Sequence, residues 1–517
     1  MTNTEHEVWD AIVIGSGMGG MSAAAALSRV GRKVLLLEQH RTLGGLTHSF
    51  SRDGFTWDVG VHYLSEMAPG DRIRALLDWL CDTPMEFTSL GSVYDTLHIG
   101  SAEPLSLSRP YEAQERDLKD RYPDEAEAIE AWTRALHAGR EAMTKIFPTR
   151  AMPKIAGDML DWWNRHDLAK WCARTTQEVI DDITDHPELA AVLAAQWGDH
   201  GGRPGKASFA VHALIAGAYL PSGAWYPVGG AAAYAEHLIP TITGAGGEAR
   251  AGVRVDGLLF EEDAVVGVRT DDGTEIRAKA VLSDIGARET IETLLPEDSG
   301  HEDWKAELRA LPSSIAHFNI FLGFEGDIEA AGATRANHWF FPTGQADVVW
   351  TDAPNGPAPH MTVSFGSLKN AAHDPGPRQK HTGQILVWAD WATVAPWADL
   401  PPGARGEDYA EFKRRAEDTL MAQFESYFPD LAGLVVHHEL STPLSTVSFT
   451  GHRQGAFYGL DVTPERVLCD GLRAKTPVPG LFLTGQDVAS PGIPGAMWGG
   501  LLSAASVDPT VFRHVRE

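Results

Sequence analysis

The run Gly15-Ser-Gly17-Met-Gly19-Gly20 carries the plainest chemistry in the sequence, the gripping of a dinucleotide's phosphates by backbone groups. A GxGxxG pattern is informative when it directly follows a strand and opens a helix, and this one reads that way. Gly15 permits the tight turn, Gly17 lets the backbone approach a pyrophosphate, and Gly20 lets helix and strand pack closely. The helix N-terminus then turns unpaired N–H groups and a partial positive charge towards the phosphates. Glu38, about twenty residues further on, supplies a carboxylate that can accept both ribose hydroxyl protons and repel a 2′-phosphate, which disfavours NADP.

A βαβ unit must hold these residues. Ala11-Ile-Val-Ile14 reads as its first strand, the Ala-rich run to Val30 as its helix, and Lys33-Val-Leu-Leu-Leu37 as its second strand, ending at Glu38. FAD and NAD both suit that unit, and three further features point to FAD. The pair Gly44-Gly45 lets the chain pass close to a ribityl chain or isoalloxazine ring. Asp487 follows a buried strand at 480–485 and suits a ribitol hydroxyl. The glycine-rich loop 491–500 runs into a last helix from about Gly495 past Ser503. That places Gly495, Ala496 and Met497 where a helix N-terminus would face the flavin N1 and C2 carbonyl and stabilise negative charge there.

Beyond the unit, residues 55–60 read as a strand, helical patterns dominate to about residue 195, and hairpin-like strands fill 252–273. A buried strand follows at 280–284, then mixed strands and helices from 294 to 464. This layout implies an α/β chain with a discontinuous Rossmann-like FAD-binding domain of the glutathione-reductase type, made from residues 1–70, 225–290 and 465–517. Interleaved with it would be a mixed α+β substrate-binding domain with a helical lid, from 71–224 and 291–464.

The 517 residues, 43% hydrophobic and 22% charged, suffice for a large core. A net charge of −27 without a basic tract repels phosphate, so nucleic acid is not an expected partner. Cys81, Cys172 and Cys469 lie far apart and form no CxxC pair, so neither a metal site nor a disulfide framework is indicated, and a reducing cytoplasm is expected. Residues 1–10 lack the basic and apolar regions of an export signal, and no uncharged apolar run is long enough for an ordinary membrane-spanning helix.

The run from Gly44 to Asp58-Val-Gly60-Val-His62-Tyr63, with Trp225-Tyr-Pro-Val-Gly-Gly230 and Thr484-Gly-Gln-Asp487, resembles the phytoene desaturase, carotenoid isomerase and retinol saturase group of flavoproteins. The resemblance extends end to end, and at Asp58-x-Gly60-x-His62 it is closest to the saturase and isomerase branch. It implies FAD, two interleaved domains and a long apolar tunnel ending at the flavin. It carries flavin contacts over to Gly15, Gly17, Gly20, Glu38, Gly44, Gly45, Asp487 and, through its backbone to the adenine, Val253. Chemistry of this kind moves a hydride between flavin N5 and a substrate carbon, so one acid or base near N5 is expected. His62 and Tyr63 are the first candidates, the alternative for His62 being a hydrogen bond to backbone. His200 and Tyr226 read as structural.

The expected activity is an FAD-dependent oxidoreductase acting on carbon–carbon bonds of an apolar polyene, terpenoid or similar molecule, by desaturation, saturation or isomerisation. An amine or alcohol oxidase of the same fold competes, weakened by the absence of a lysine near the expected flavin face. So does a non-catalytic prenyl- or lipid-binding descendant, weakened by the retention of Gly17, Glu38 and Asp487. The electron donor or acceptor stays open. Trp339, Trp350, Trp388, Trp391 and Trp397 read first as core and second as a wall against an apolar substrate. Ile155, Met159, Leu160, Trp162 and Trp163 share one helical face in a locally basic stretch. An ordinary helix packed on the core is the first reading, and peripheral contact with a lipid headgroup layer the second.

Overall fold

The computed structural model describes residues 8–515, so the reading of residues 1–10 falls mostly outside the described residues. Ala11–Ile14 (β1) and Val34–Glu38 (β2), wholly buried, flank the helix Met18–Arg29 (α1). They belong to a five-stranded parallel sheet in the order Leu481–Leu483, Val281–Ser283, β1, β2, Glu248–Ala251. A parallel sheet covered on both faces needs no polar alternation, which explains why its strands are short continuous apolar runs. α1 packs on the long helix Gly492–Val507 at short range. A Cβ on Gly500 would stand 2.5 Å from the Gly19 carbonyl oxygen, and one on Gly499 1.9 Å from that of Gly485.

A second sheet of seven strands runs Val435–Ser441, Ala316–Glu325, Lys380–Ala389, Met361–Ser364, Asn337–Phe341, Val93–Ile99, Leu105–Ser108. All its pairings are antiparallel except Asn337–Phe341 with Val93–Ile99. The helix Gly406–Tyr427 covers one face through Phe412, Ala416, Leu420 and Phe424. Strands at Phe87–Ser89, Val93–Ile99 and Leu105–Ser108 interrupt the stretch expected to be helical. Val93–Ile99 pairs antiparallel with Leu105–Ser108 across a short loop, while its parallel partner lies far along the chain, where Asn337 pairs with Asp95.

The helix Lys154–Asp167 departs from the packed helix read first. Gly157 is its one buried residue, and Ile155, Met159, Trp162 and Trp163 are 79%, 70%, 62% and 75% exposed. Lys154 tethers it to Asp470, and the Arg165 guanidinium lies 4.5 Å over the Trp162 ring. Among the described residues no helix is long and apolar enough to cross a membrane.

Candidate active site

A cavity of about 740 Å³ opens at the carboxyl ends of the parallel strands, a size ordinary for a cofactor site. Gly15, Gly17, Gly19, Glu38, Gly45, Val253, Asp487 and Ala496 line it. Gly20 and Gly44 stand just behind its wall. Gly495 packs on the Ser490 carbonyl and Met497 is 1% exposed in the core, so Ala496, with Gly492 and Ile493, is what the helix Gly492–Val507 shows the cavity. The helix begins at Gly492, earlier than expected, so Gly495 ends its first turn and Met497 lies in its second.

Glu38 organises the entrance. Its Oε2 accepts from the N–H of Ser16 (2.9 Å) and from Ser16 Oγ (2.7 Å), and its Oε1 from the N–H of His40 (2.8 Å). Ser16 Oγ in turn accepts from the N–H of Gly44 at 2.9 Å, at a φ of +118° that favours glycine. The Val253 N–H is taken by the Glu38 carbonyl at 2.8 Å, which leaves the carbonyl as this residue's backbone group for a ligand. Asp487 accepts from the N–H groups of Ala287 (2.8 Å) and Leu460 (3.1 Å), so it also fastens three distant segments at the cavity wall.

Sequence reasoning missed Asp284. Its carboxyl is wedged among the glycines of the fingerprint: a Cβ on Gly17 would stand 2.7 Å from Oδ2, and Cβ atoms on Gly19 and Gly485 2.4 and 2.1 Å from Oδ1. Oδ2 accepts from the Gly20 N–H at 2.7 Å. Burial, with Glu38 and Asp487 adding repulsion, pushes its pKa up to about 8 against the pull of that N–H. The signal was present, since a carboxylate ending a buried strand was the clue that singled out Asp487.

His317 Nδ1 and Asn319 Oδ1, on the strand Ala316–Glu325, and Thr484 Oγ1, next to Gly485, are buried on lining residues without a hydrogen-bond partner in the protein. Buried polar atoms nearly always have one, so these three fit a ligand rich in donors and acceptors. The donor set therefore suits a dinucleotide that runs from the cradle towards the strand Ala316–Glu325.

Behind the wall lies a buried charged cluster that no motif revealed. The Tyr63 hydroxyl sits 2.9 Å from both oxygens of Asp95 and 3.3 Å from Asp199. Tyr63 has one proton to donate, so the two carboxylates approach it together only if one of them is protonated. Burial raises Asp95 to about 6 and Asp199 well above its ordinary value. Lys369, 0% exposed, donates to the His62 carbonyl (3.0 Å), to Ser364 Oγ (2.8 Å) and to Asn337 Oδ1, and burial lowers it to about 7 against the pull of both aspartates. A lysine, absent by motif, thus stands beside His62 in space, though neither Lys369 nor His62 lines the cavity. His62 itself is not bonded to backbone through its ring; both ring nitrogens are buried without partners, and burial, aided by Lys369 and His317, holds it neutral with a pKa of about 3. Tyr458, on the cavity wall, donates to the Gly198 carbonyl at 3.3 Å, next to Asp199.

The two halves of the family-like motif touch. Asp58 accepts from Ser49 Oγ (2.5 Å) and from the Tyr226 hydroxyl, and a Cβ on Gly230 would come within 2.9 Å of it. Tyr226 is structural, and so is His200, bonded to His212 at 3.1 Å. None of the five tryptophans lines the cavity. Trp339, Trp350 and Trp388 are core, and Trp391 and Trp397 pack at the core's edge, because their strands and turns face the covering helix and the aromatic cluster instead.

Fold and site define an oxidoreductase of the flavoprotein type with a flavin-type cofactor. A family model described as an NAD(P)-binding Rossmann-like domain matches residues 13–80. Over 95% of its length the chain is 29% identical to an all-trans-retinol 13,14-reductase of Danio rerio, covering 84% of that protein. Over 93% it is 23% identical to a chloroplastic prolycopene isomerase of Daucus carota, covering 76%. The resemblance to the saturase and isomerase branch thus holds along the chain. Cyclohexylamine oxidase from Brevibacterium oxydans shares the fold, with a TM-score of 0.61, 15% identity, and coverage of 99% of this chain and 100% of that one.

Proposed function

We propose that the chain is an FAD-dependent oxidoreductase acting on carbon–carbon double bonds of an apolar polyene, of the retinoid or carotenoid kind named in its relatives. The observation that carries this is a single cavity joining a dinucleotide cradle to a wall backed by a proton-holding cluster. FAD, when bound, supplies hydride transfer. Glu38 would hold the adenosine ribose, the turn at Gly15–Gly19 the pyrophosphate, and Asp487 the ribityl chain. Tyr63, fixed by Asp95 and Asp199, keeps a proton available close to the cavity, with Tyr458 between that store and the substrate space. His62 is neutral and offers a hydrogen bond rather than a charge.

The domain division at 1–70, 225–290 and 465–517 against 71–224 and 291–464 is supported by the two large sheets, each of which draws its strands from one set. A cytoplasmic protein resting on a membrane surface agrees with three buried, unpaired cysteines and with the bare apolar face of Lys154–Asp167, flanked by Lys154, Arg165 and Lys170. A second reading, an amine oxidase, fits the fold shared with cyclohexylamine oxidase. Anaerobic mixing of the purified yellow protein with apolar alkenes, NADH and amines decides between them. Bleaching by amines, with neither bleaching of the oxidised flavin by alkenes nor alkene-driven reoxidation of flavin reduced beforehand with dithionite, would sink the polyene reading, and a colourless protein would sink both.

A further inference from the structure

We propose that Asp284 is itself a contact of the dinucleotide's pyrophosphate, and that it meets the phosphates as a neutral carboxylic acid. One oxygen accepts the Gly20 N–H while the other donates the acid proton to the anion. The inference rests on the dinucleotide part of the proposed function. The cradle that a pyrophosphate would approach, formed by Gly17, Gly19, Gly20 and Gly485, already holds this carboxyl, with Oδ2 on the Gly20 N–H at 2.7 Å. An ionised Asp284 would compete with the phosphates for the same helix N-terminus and repel them.

Nothing in its surroundings neutralises it. The first turn of α1 carries no charged side chain. β2 contributes Glu38, the loop after Leu481–Leu483 contributes Asp487, and the next turn contributes Glu289, whose Oε2 lies 2.4 Å from a Cβ built on Gly286. Arg288, on that same turn, points away to the carbonyls of Arg309 and Leu311. His48, Arg41, Arg52, Arg254 and Lys413 line the same cavity, and none of them acts on Asp284. A carboxyl in such company holds its proton, and the protonated form has the donor a phosphate oxygen needs.

The test is calorimetric titration of FAD into the cofactor-stripped full chain, in two buffers of different ionisation heat. At about pH 9 the wild type should take up close to one proton per FAD, and bind roughly tenfold more weakly than at about pH 7, as expected for a group titrating near 8. Asp284→Asn, which keeps shape and a donor, should bind FAD with no proton uptake and with the same affinity at both values. Wild-type binding without proton uptake, and with the variant's flat profile, overturns the proposal while leaving the cofactor assignment standing. Failure of the wild type to bind FAD at either pH overturns both. The wild-type uptake needs no variant, so a misfolded Asn protein leaves the test intact.

Discussion

At the α1 end of the cavity a single carboxyl, Asp284, is wedged among four glycines and meets one backbone N–H; behind the other end two carboxyls, Asp95 and Asp199, share a tyrosine and face a buried lysine. Both regions bury acids. The first is governed by volume, since its partners are main chain and no side chain can yield. The second is governed by proton count, since each of its members is charged or neutral according to the others.

The severest way to break this contrast is Gly19→Ala. A methyl there would stand 2.3 Å from Gly485 Cα and 2.4 Å from the Asp284 carboxyl. We expect loss of about 1–3 kcal/mol of stability and no retained flavin, read from the urea midpoint and visible absorbance. Tyr63→Phe should do the reverse, keeping the yellow colour while lowering kcat by about 10²-fold. Release of flavin by Tyr63→Phe would show that the two ends are not separate.

A smaller effect should sharpen the comparison through pH. Asp284 holds its proton to about 8 in the folded state against 3.8 ordinarily, so stability is lost as pH rises between those values and is regained on acidification. Asp284→Asn removes that slope and should be the more stable form at about pH 9, by about 1–3 kcal/mol, in urea unfolding of the cofactor-free chain. Lys369, lowered to about 7 from 10.5, slopes the other way, stability falling as pH drops through that window. Smallest, and outside both regions, Trp162→Ser with Trp163→Ser should weaken binding to anionic vesicles by about five- to tenfold. Its unfolding midpoint should stay within about 0.5 kcal/mol of wild type.

The cradle was largely legible because spacing encodes it: Gly15 to Glu38 lie on one βαβ unit, and strand, turn and helix each leave a local mark. Asp487 was legible for the same reason. The Tyr63 cluster was not. Asp95, Asp199, Asn337 and Lys369 come from separate stretches, and what unites them is the parallel pairing of Asn337 with Asp95, a contact with no periodicity of its own. The strand Val93–Ile99 was lost along with it. The exposed face of Lys154–Asp167 was visible as a pattern, but periodicity shows only that a face exists, and burial decides whether anything covers it.

The pairing of Val281 with Leu481 gives the molecule a timetable. The floor beneath the cradle is complete only when the strand Leu481–Leu483 has joined the sheet, and Gly499 and Gly500 must then settle against Gly485 and Gly19. During synthesis the fingerprint emerges long before residues 481–500, and it waits for them before it has a wall opposite. A ribosome-bound chain halted before residue 481 would therefore carry the whole glycine signature and still be unable to hold the cofactor.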